Sequence, residues 1–130
     1  MTLADVRQLV VRNHDGLQEL MDELEQLATR FSEGDARAEH ELRVLALEVA
    51  TQLQRHLRFE EQHWYPMLQP KLSPRQLARY EAHDQRQRRC VELLRDRAHD
   101  APVRALVDCI FELTHHFRQH TRRENQLLAI

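Results

Sequence analysis

With 130 residues but only two glycines and four prolines, the chain has too few turn-formers for an all-β fold, which needs a turn every ten residues or so. Its abundant Leu, Ala, Glu, Gln and Arg are helix formers, so the expected fold is all-α, in one domain spanning residues 1–130. A formal net charge of −2 excludes generic attraction to nucleic acid or an anionic membrane. The opening MTLADVRQLV has neither a basic head nor an apolar signal core, and no stretch approaches a membrane span. Cys90 and Cys109 suit a reducing compartment and lack zinc-type spacing, so a cytoplasmic protein is expected.

In chain order, the first helix begins after Thr2, an N-cap followed three residues on by Asp5. Its apolar stripe runs through Val6, Val10, Leu17, Leu20, Leu24, Leu27 and Phe31, and Ser32-Glu33-Gly34-Asp35 ends it. The second helix carries Leu42, Leu45, Val49 and Leu53 and is expected to weaken near Trp64-Tyr65-Pro66. Ser73-Pro74, an N-cap and first-position pair, opens the third, with Leu77, Tyr80, Val91 and Leu94 inside. Asp100 and Pro102 mark the start of the fourth, whose stripe is Leu106, Ile110, Leu113, Phe117 and Leu127. Short connections between long helices predict an antiparallel up-down-up-down four-helix bundle.

The phrase His-x-x-x-Glu occurs on two of these stripes, as His56 with Glu60 and His120 with Glu124. Residues one turn apart leave the same helical face, and here that face continues the Val49–Leu53 and Leu113–Phe117 stripes into the core. His14 sits between Val10 and Leu17 on the first stripe; His83 competes with Asp84 for the inward position on the third helix. Counting about 1.5 Å per residue from the shared turns puts His14, His56, His83 and His120 within roughly one helical turn of a common height. Two ionised carboxylates buried without partners would cost several kcal/mol, a large share of a domain's typical ~5–15 kcal/mol. Arg58, Arg122 and Arg123 fall on outward phases and do not offset them. A metal site is therefore expected at His14, His56, Glu60, His83, His120 and Glu124. Imidazole with carboxylate suits iron, manganese or zinc, and two ions could share Glu60 and Glu124 as bridges.

The order His, His-x-x-x-Glu, His, His-x-x-x-Glu resembles the hemerythrin-like (HHE cation-binding) domains over essentially the whole chain. The phrase from Arg55-His56-Leu57-Arg58-Phe59-Glu60-Glu61 to Trp64-Tyr65-Pro66 is especially similar. The resemblance implies a four-helix bundle holding an oxo- or hydroxo-bridged pair of irons, a di-iron centre for which manganese and zinc are alternatives. Two departures from the oxygen carriers stand out. Those proteins have two histidines four apart on the third helix, where this chain has His83 and Gln87; their last helix has Asp five after His, where this chain has Glu124 four after His120. One nitrogen ligand is missing, and His116, one turn before His120, is open as its replacement. Fewer ligands leave the metals more exposed, which disfavours reversible O2 storage and favours oxidation, peroxide or nitric oxide chemistry, or sensing.

The other residues take plainer readings. His63, His99 and His115 belong to the surface or helix ends, and His40 is solvated. Tyr65 and Tyr80 are packing residues whose hydroxyls are candidates to reach a metal-bound ligand; Glu61 faces solvent or a neighbouring helix. Cys90 and Cys109, level on adjacent helices, are small core residues, with a redox pair as the alternative; Arg86-Gln87-Arg88-Arg89 is a solvated face. The leading expectation is a protein that binds or responds to O2, nitric oxide or redox state, with a small diatomic ligand or peroxide as its partner. Two alternatives stay open: an enzyme acting on peroxide or ferrous iron, and a bundle in which metal is structural. No residue specifies a protein partner or an oligomeric state.

Overall fold

A computed structural model describes residues 1–128, with side chains through residue 126; Leu127, assigned above to the last stripe, lies outside the residues whose side chains are described. In chain order come α1 (Leu3–Ser32), α2 (Ala38–Phe59), a π-helical segment (Glu60–Trp64), the single-turn α3 (Tyr65–Leu68), a 3₁₀ turn (Gln69–Lys71), α4 (Pro74–Asp100) and α5 (Val103–Leu128). The four long helices form the bundle: each packs on the next, and α5 closes against α1. No strand occurs among the described residues, and no described helix is long and apolar enough to cross a membrane.

Local chemistry sets the helix ends. Thr2 and Asp5 form a reciprocal capping box: the Asp5 amide donates to Thr2 Oγ1 (3.2 Å) and the Thr2 amide to Asp5 Oδ2 (3.0 Å). Ser73 and Gln76 do the same at α4, with Pro74 in the first turn, where its missing N–H costs nothing. After α1 the chain reverses through Gly34, whose φ of +106° a side chain would strain. Arg43 near the start of α2 donates to the carbonyls of Arg97, Ala98 and Ala101 at the far end of α4, tying that terminus down and fixing the two helices antiparallel. Arg118 of α5 pairs with Asp22 and Glu25 of α1 in the same antiparallel sense.

The weakening expected at Trp64-Tyr65-Pro66 is not a break, and the helical path continues to Lys71. Pro66 has no N–H for the carbonyl four residues back, and its ring crowds that position. The chain absorbs this by widening one turn: the Tyr65 amide donates to the Glu60 carbonyl, five residues back, and the helix resumes beyond. Widening keeps both Trp64 and Leu68 buried.

Two apolar clusters fill the interior. The larger one gathers Leu17 to Ala28 of α1, Ala38 to Leu57 of α2, Cys90 to Ala98 of α4 and Leu106 to Phe117 of α5. The smaller contains Val6, Val10, Trp64, Leu68 and Tyr80. Each cluster residue that is fully buried contributes about 1.5–3 kcal/mol if it is a large aliphatic. Between the clusters the stripes are interrupted at His14 on α1, at Glu60 after α2 and at Gln87 on α4, and α5 runs out of the larger cluster into His120 and Glu124. A polar layer therefore crosses an otherwise apolar core.

Candidate metal centre

Five of the six residues singled out by sequence converge in that layer. His14, His56, Glu60, His120 and Glu124 are each at most 3% exposed, and each offers one ligand atom within 4.8 Å of every other. His14 Nε2 lies 3.0 Å from Glu124 Oε1 and 3.9 Å from Glu60 Oε1. His120 Nε2 lies 2.7 Å from Glu124 Oε2 and 3.7 Å from Glu60 Oε1, while His56 Nε2 contacts Glu60 Oε1 directly. The His14 ring is 4.9 Å from that of His56 and 6.3 Å from that of His120, centre to centre.

These approaches do not satisfy the atoms that make them. Both ring nitrogens of His14 and His56, Nε2 of His120, Oε1 of Glu60 and both carboxylate oxygens of Glu124 are buried without a hydrogen-bond partner. At about 1–3 kcal/mol per unsatisfied buried group, so many in one layer would be a severe burden on the fold. No arginine pairs with Glu60 or Glu124 among the described residues. Lone pairs on nitrogen and oxygen, aimed at one another around a small common volume, are what a borderline cation such as iron, manganese or zinc satisfies. The residues fit a metal.

Their electrostatics agree. Burial opposes charge on His14 and His120, but the Glu124 and Glu60 carboxylates outweigh it, pushing His14 up to about 9 and His120 up to about 10. Burial likewise acts to raise Glu60, and the imidazoles of His56, His120 and His14 overcome it, holding its carboxyl well below the usual range. The metal-free layer thus stores protons where a cation would sit.

α4 contributes differently. His83 is half-buried and stands outside the five-residue group, although its ring lies 6.4 Å from that of His120, as near as that of His14. Burial, then the charges of Arg123, His120 and Arg86, push it down to about 4. Asp84, its competitor for the inward phase, is half-buried and accepts from Arg88 Nε at 2.9 Å. Gln87 takes the fully buried position one turn on, with neither amide atom partnered. His116 is also outside the group, with Glu112 3.8 Å away.

Two residues named from the sequence take contacts that it did not specify. Tyr80 donates its hydroxyl to Glu60 Oε2 at 3.0 Å, anchoring that carboxylate from across the bundle. Burial and the nearby Glu60 and Glu124 raise the phenol well above its ordinary value, so it stays a donor. Tyr80 also stacks on Tyr65, which donates to Glu81 Oε1 at 2.7 Å and so does not reach the layer. The height count that levels His83 with His56 also levels Tyr80 with Glu60, and that signal was available. Gln87 is the other: an amide on an inward stripe gives no sign of whether it will find a partner. Elsewhere the plain readings agree with the structure. His40, His99 and His115 are exposed, Glu61 pairs with Arg88, and both cysteines are buried and free. The run Arg86-Gln87-Arg88-Arg89, expected as a solvated face, is not one throughout: Gln87 turns inward and is buried, Arg88 is held by Asp84 and Glu61, and Arg86 lines a cavity of about 850 Å³ between α4 and α5 that reaches His120 and Glu124.

A family model described as hemerythrin HHE cation binding domain matches residues 5–129. No curated protein and no solved structure matches the chain.

Proposed function

Since the chain belongs to the hemerythrin HHE cation-binding domain family, we propose that it holds a non-haem di-iron centre and responds through it to O2, nitric oxide or redox state. The convergence of eight unpartnered buried nitrogen and oxygen atoms from His14, His56, Glu60, His120 and Glu124 carries this reading. In it the imidazoles of His14, His56 and His120 and the carboxylates of Glu60 and Glu124 would hold the metals, the imidazoles as terminal ligands and the two carboxylates as shared ones. His83, half-buried on α4 with its ring 6.4 Å from that of His120, would complete the set as a sixth ligand. A bound pair of irons supplies one-electron redox chemistry and open positions for a small ligand.

The chain's own residues shape that chemistry. Tyr80 fixes Glu60 Oε2, which leaves Oε1 as the oxygen facing the histidines. Trp64 and Phe117 close the layer on the apolar sides and exclude water there. Gln87 stands where the oxygen carriers have a second α4 histidine, so one nitrogen fewer is offered; this supports sensing or turnover over reversible O2 storage. The cavity reaching His120 and Glu124 favours a second reading, an enzyme acting on peroxide or ferrous iron. Steady-state turnover separates the two, because a sensor changes state once while an enzyme consumes substrate repeatedly.

The test is metal content per chain, with an absorption spectrum, on protein from iron-supplied cells. About two irons with near-ultraviolet charge-transfer bands are expected. His56→Ala and Glu124→Ala should lose the metal and with it about 4 kcal/mol of stability, roughly 15 °C in Tm, while His115→Ala does neither. Zinc alone, no metal after iron reconstitution, or equal metal in all three variants would overturn the proposal.

A further inference from the structure

We propose that the cleft between α4 and α5 is a binding site for an organic oxyanion, a carboxylate or a phosphate ester, which it holds against the outer side of the His/Glu layer. Its volume is about 850 Å³. A diatomic molecule needs little more than the ~30 Å³ share of one water, whereas pockets for organic ligands run to roughly 300–1,000 Å³. The space is out of proportion to O2 or nitric oxide alone.

Its charge is equally one-sided. Arg79 and Arg86, two turns apart on one face of α4, line it opposite Arg123 of α5. All three are exposed, and none forms an ion pair among the described residues. Neighbouring arginines behave otherwise: Arg88 is held by Asp84 and Glu61, and Arg118 by Asp22 and Glu25. The one acid in the lining is Glu124, which is buried and already faces His14 and His120. Three unpaired guanidinium groups around a cavity offer forked donors matched to the planar or tetrahedral oxygens of carboxylate and phosphate. At its inner end the cavity meets His120 and Glu124, so a molecule anchored at the mouth extends to the layer.

What the ligand meets at that inner end rests on the metal-centre reading; the anion site itself rests on the arginines. The test is calorimetric titration of the iron-loaded protein with benzoate, phenyl phosphate and uncharged benzamide, with iron measured in the same samples. One or both anions should bind, less tightly as salt is raised, and benzamide should not; which anion binds identifies the class. Arg86→Gln combined with Arg123→Gln alters only exposed positions and should weaken binding at least about tenfold at unchanged iron content and Tm. No binding of either anion up to about 10 mM, or equal affinity in the double variant, overturns the cleft proposal while leaving the metal centre standing. Arginine-dependent binding to protein that takes up no iron does the reverse.

Discussion

The two His-x-x-x-Glu pairs have the same spacing and the same burial, but α4 treats them differently. On the α2 side, Glu60 opens the π-helical segment, accepts the Tyr80 hydroxyl through Oε2, and turns Oε1 toward three imidazoles. On the α5 side, Glu124 has no hydrogen-bond donor on either oxygen and lines the α4–α5 cleft. One carboxylate is fixed by the protein; the other is fixed by whatever it binds. An identical motif therefore yields a closed half and an open half, and the difference lies in the neighbouring helix rather than in the motif. An incoming ligand is expected at the open half, where Glu124 faces only the site's own imidazoles of His14 and His120 and no anchoring hydroxyl like that of Tyr80 holds it.

The largest effect that probes both halves is pH. In the metal-free protein His14 and His120, raised to about 9 and about 10, are protonated through neutrality, whereas a metal needs the bare ring nitrogen. Metal uptake must expel those protons. Acid therefore opposes binding, and apparent affinity climbs with pH until the imidazoles lose their protons unaided near pH 9 to 10. A gain of about tenfold per pH unit for each proton displaced is expected between roughly pH 6 and 8, read by chelator competition. A flat profile would mean that neither ring is a ligand.

Tyr80→Phe strikes the closed half alone. Loss of a hydrogen bond that orients a ligand should weaken metal binding about 10- to 100-fold, with about 1 kcal/mol lost from the metal-free fold. If affinity is unchanged, Glu60 does not need its anchor and the contrast between the halves disappears. The smallest effect is at Gln87. Replacing its unpartnered buried amide by leucine removes a desolvation cost, so the metal-free Gln87→Leu protein should gain about 1 kcal/mol in denaturant unfolding. A loss of that size would show that the amide has a partner in solution.

Much of this architecture is legible in the residues because its signals are local and periodic. Thr2 with Asp5 and Ser73-Pro74 with Gln76 state where helices begin, and the Leu and Val stripes state which faces turn inward. Counting residues from the turns levels the histidines, because helix rise is nearly constant. What stays hidden depends on contacts between helices or on broken periodicity. Pro66 looks like a terminator, and only the widened turn lets the helix pass it. His83, Asp84 and Gln87 share the inward arc of α4; Asp84 is taken by Arg88 one turn on along the same helix, and packing against the neighbouring helices buries Gln87. Arg86 reads as one more solvated charge until α5 brings Arg123 across from it.

The widened turn at Glu60–Trp64 also makes the chain's length a fixed quantity at this point. A π turn spends one residue more than the α-helical hydrogen-bond ladder requires over the same rise. Removing one residue from that turn would restore regular winding but rotate everything beyond it by about 100°, turning Trp64 and Leu68 off the smaller core cluster. The turn therefore tolerates a change of residue more readily than a change of length.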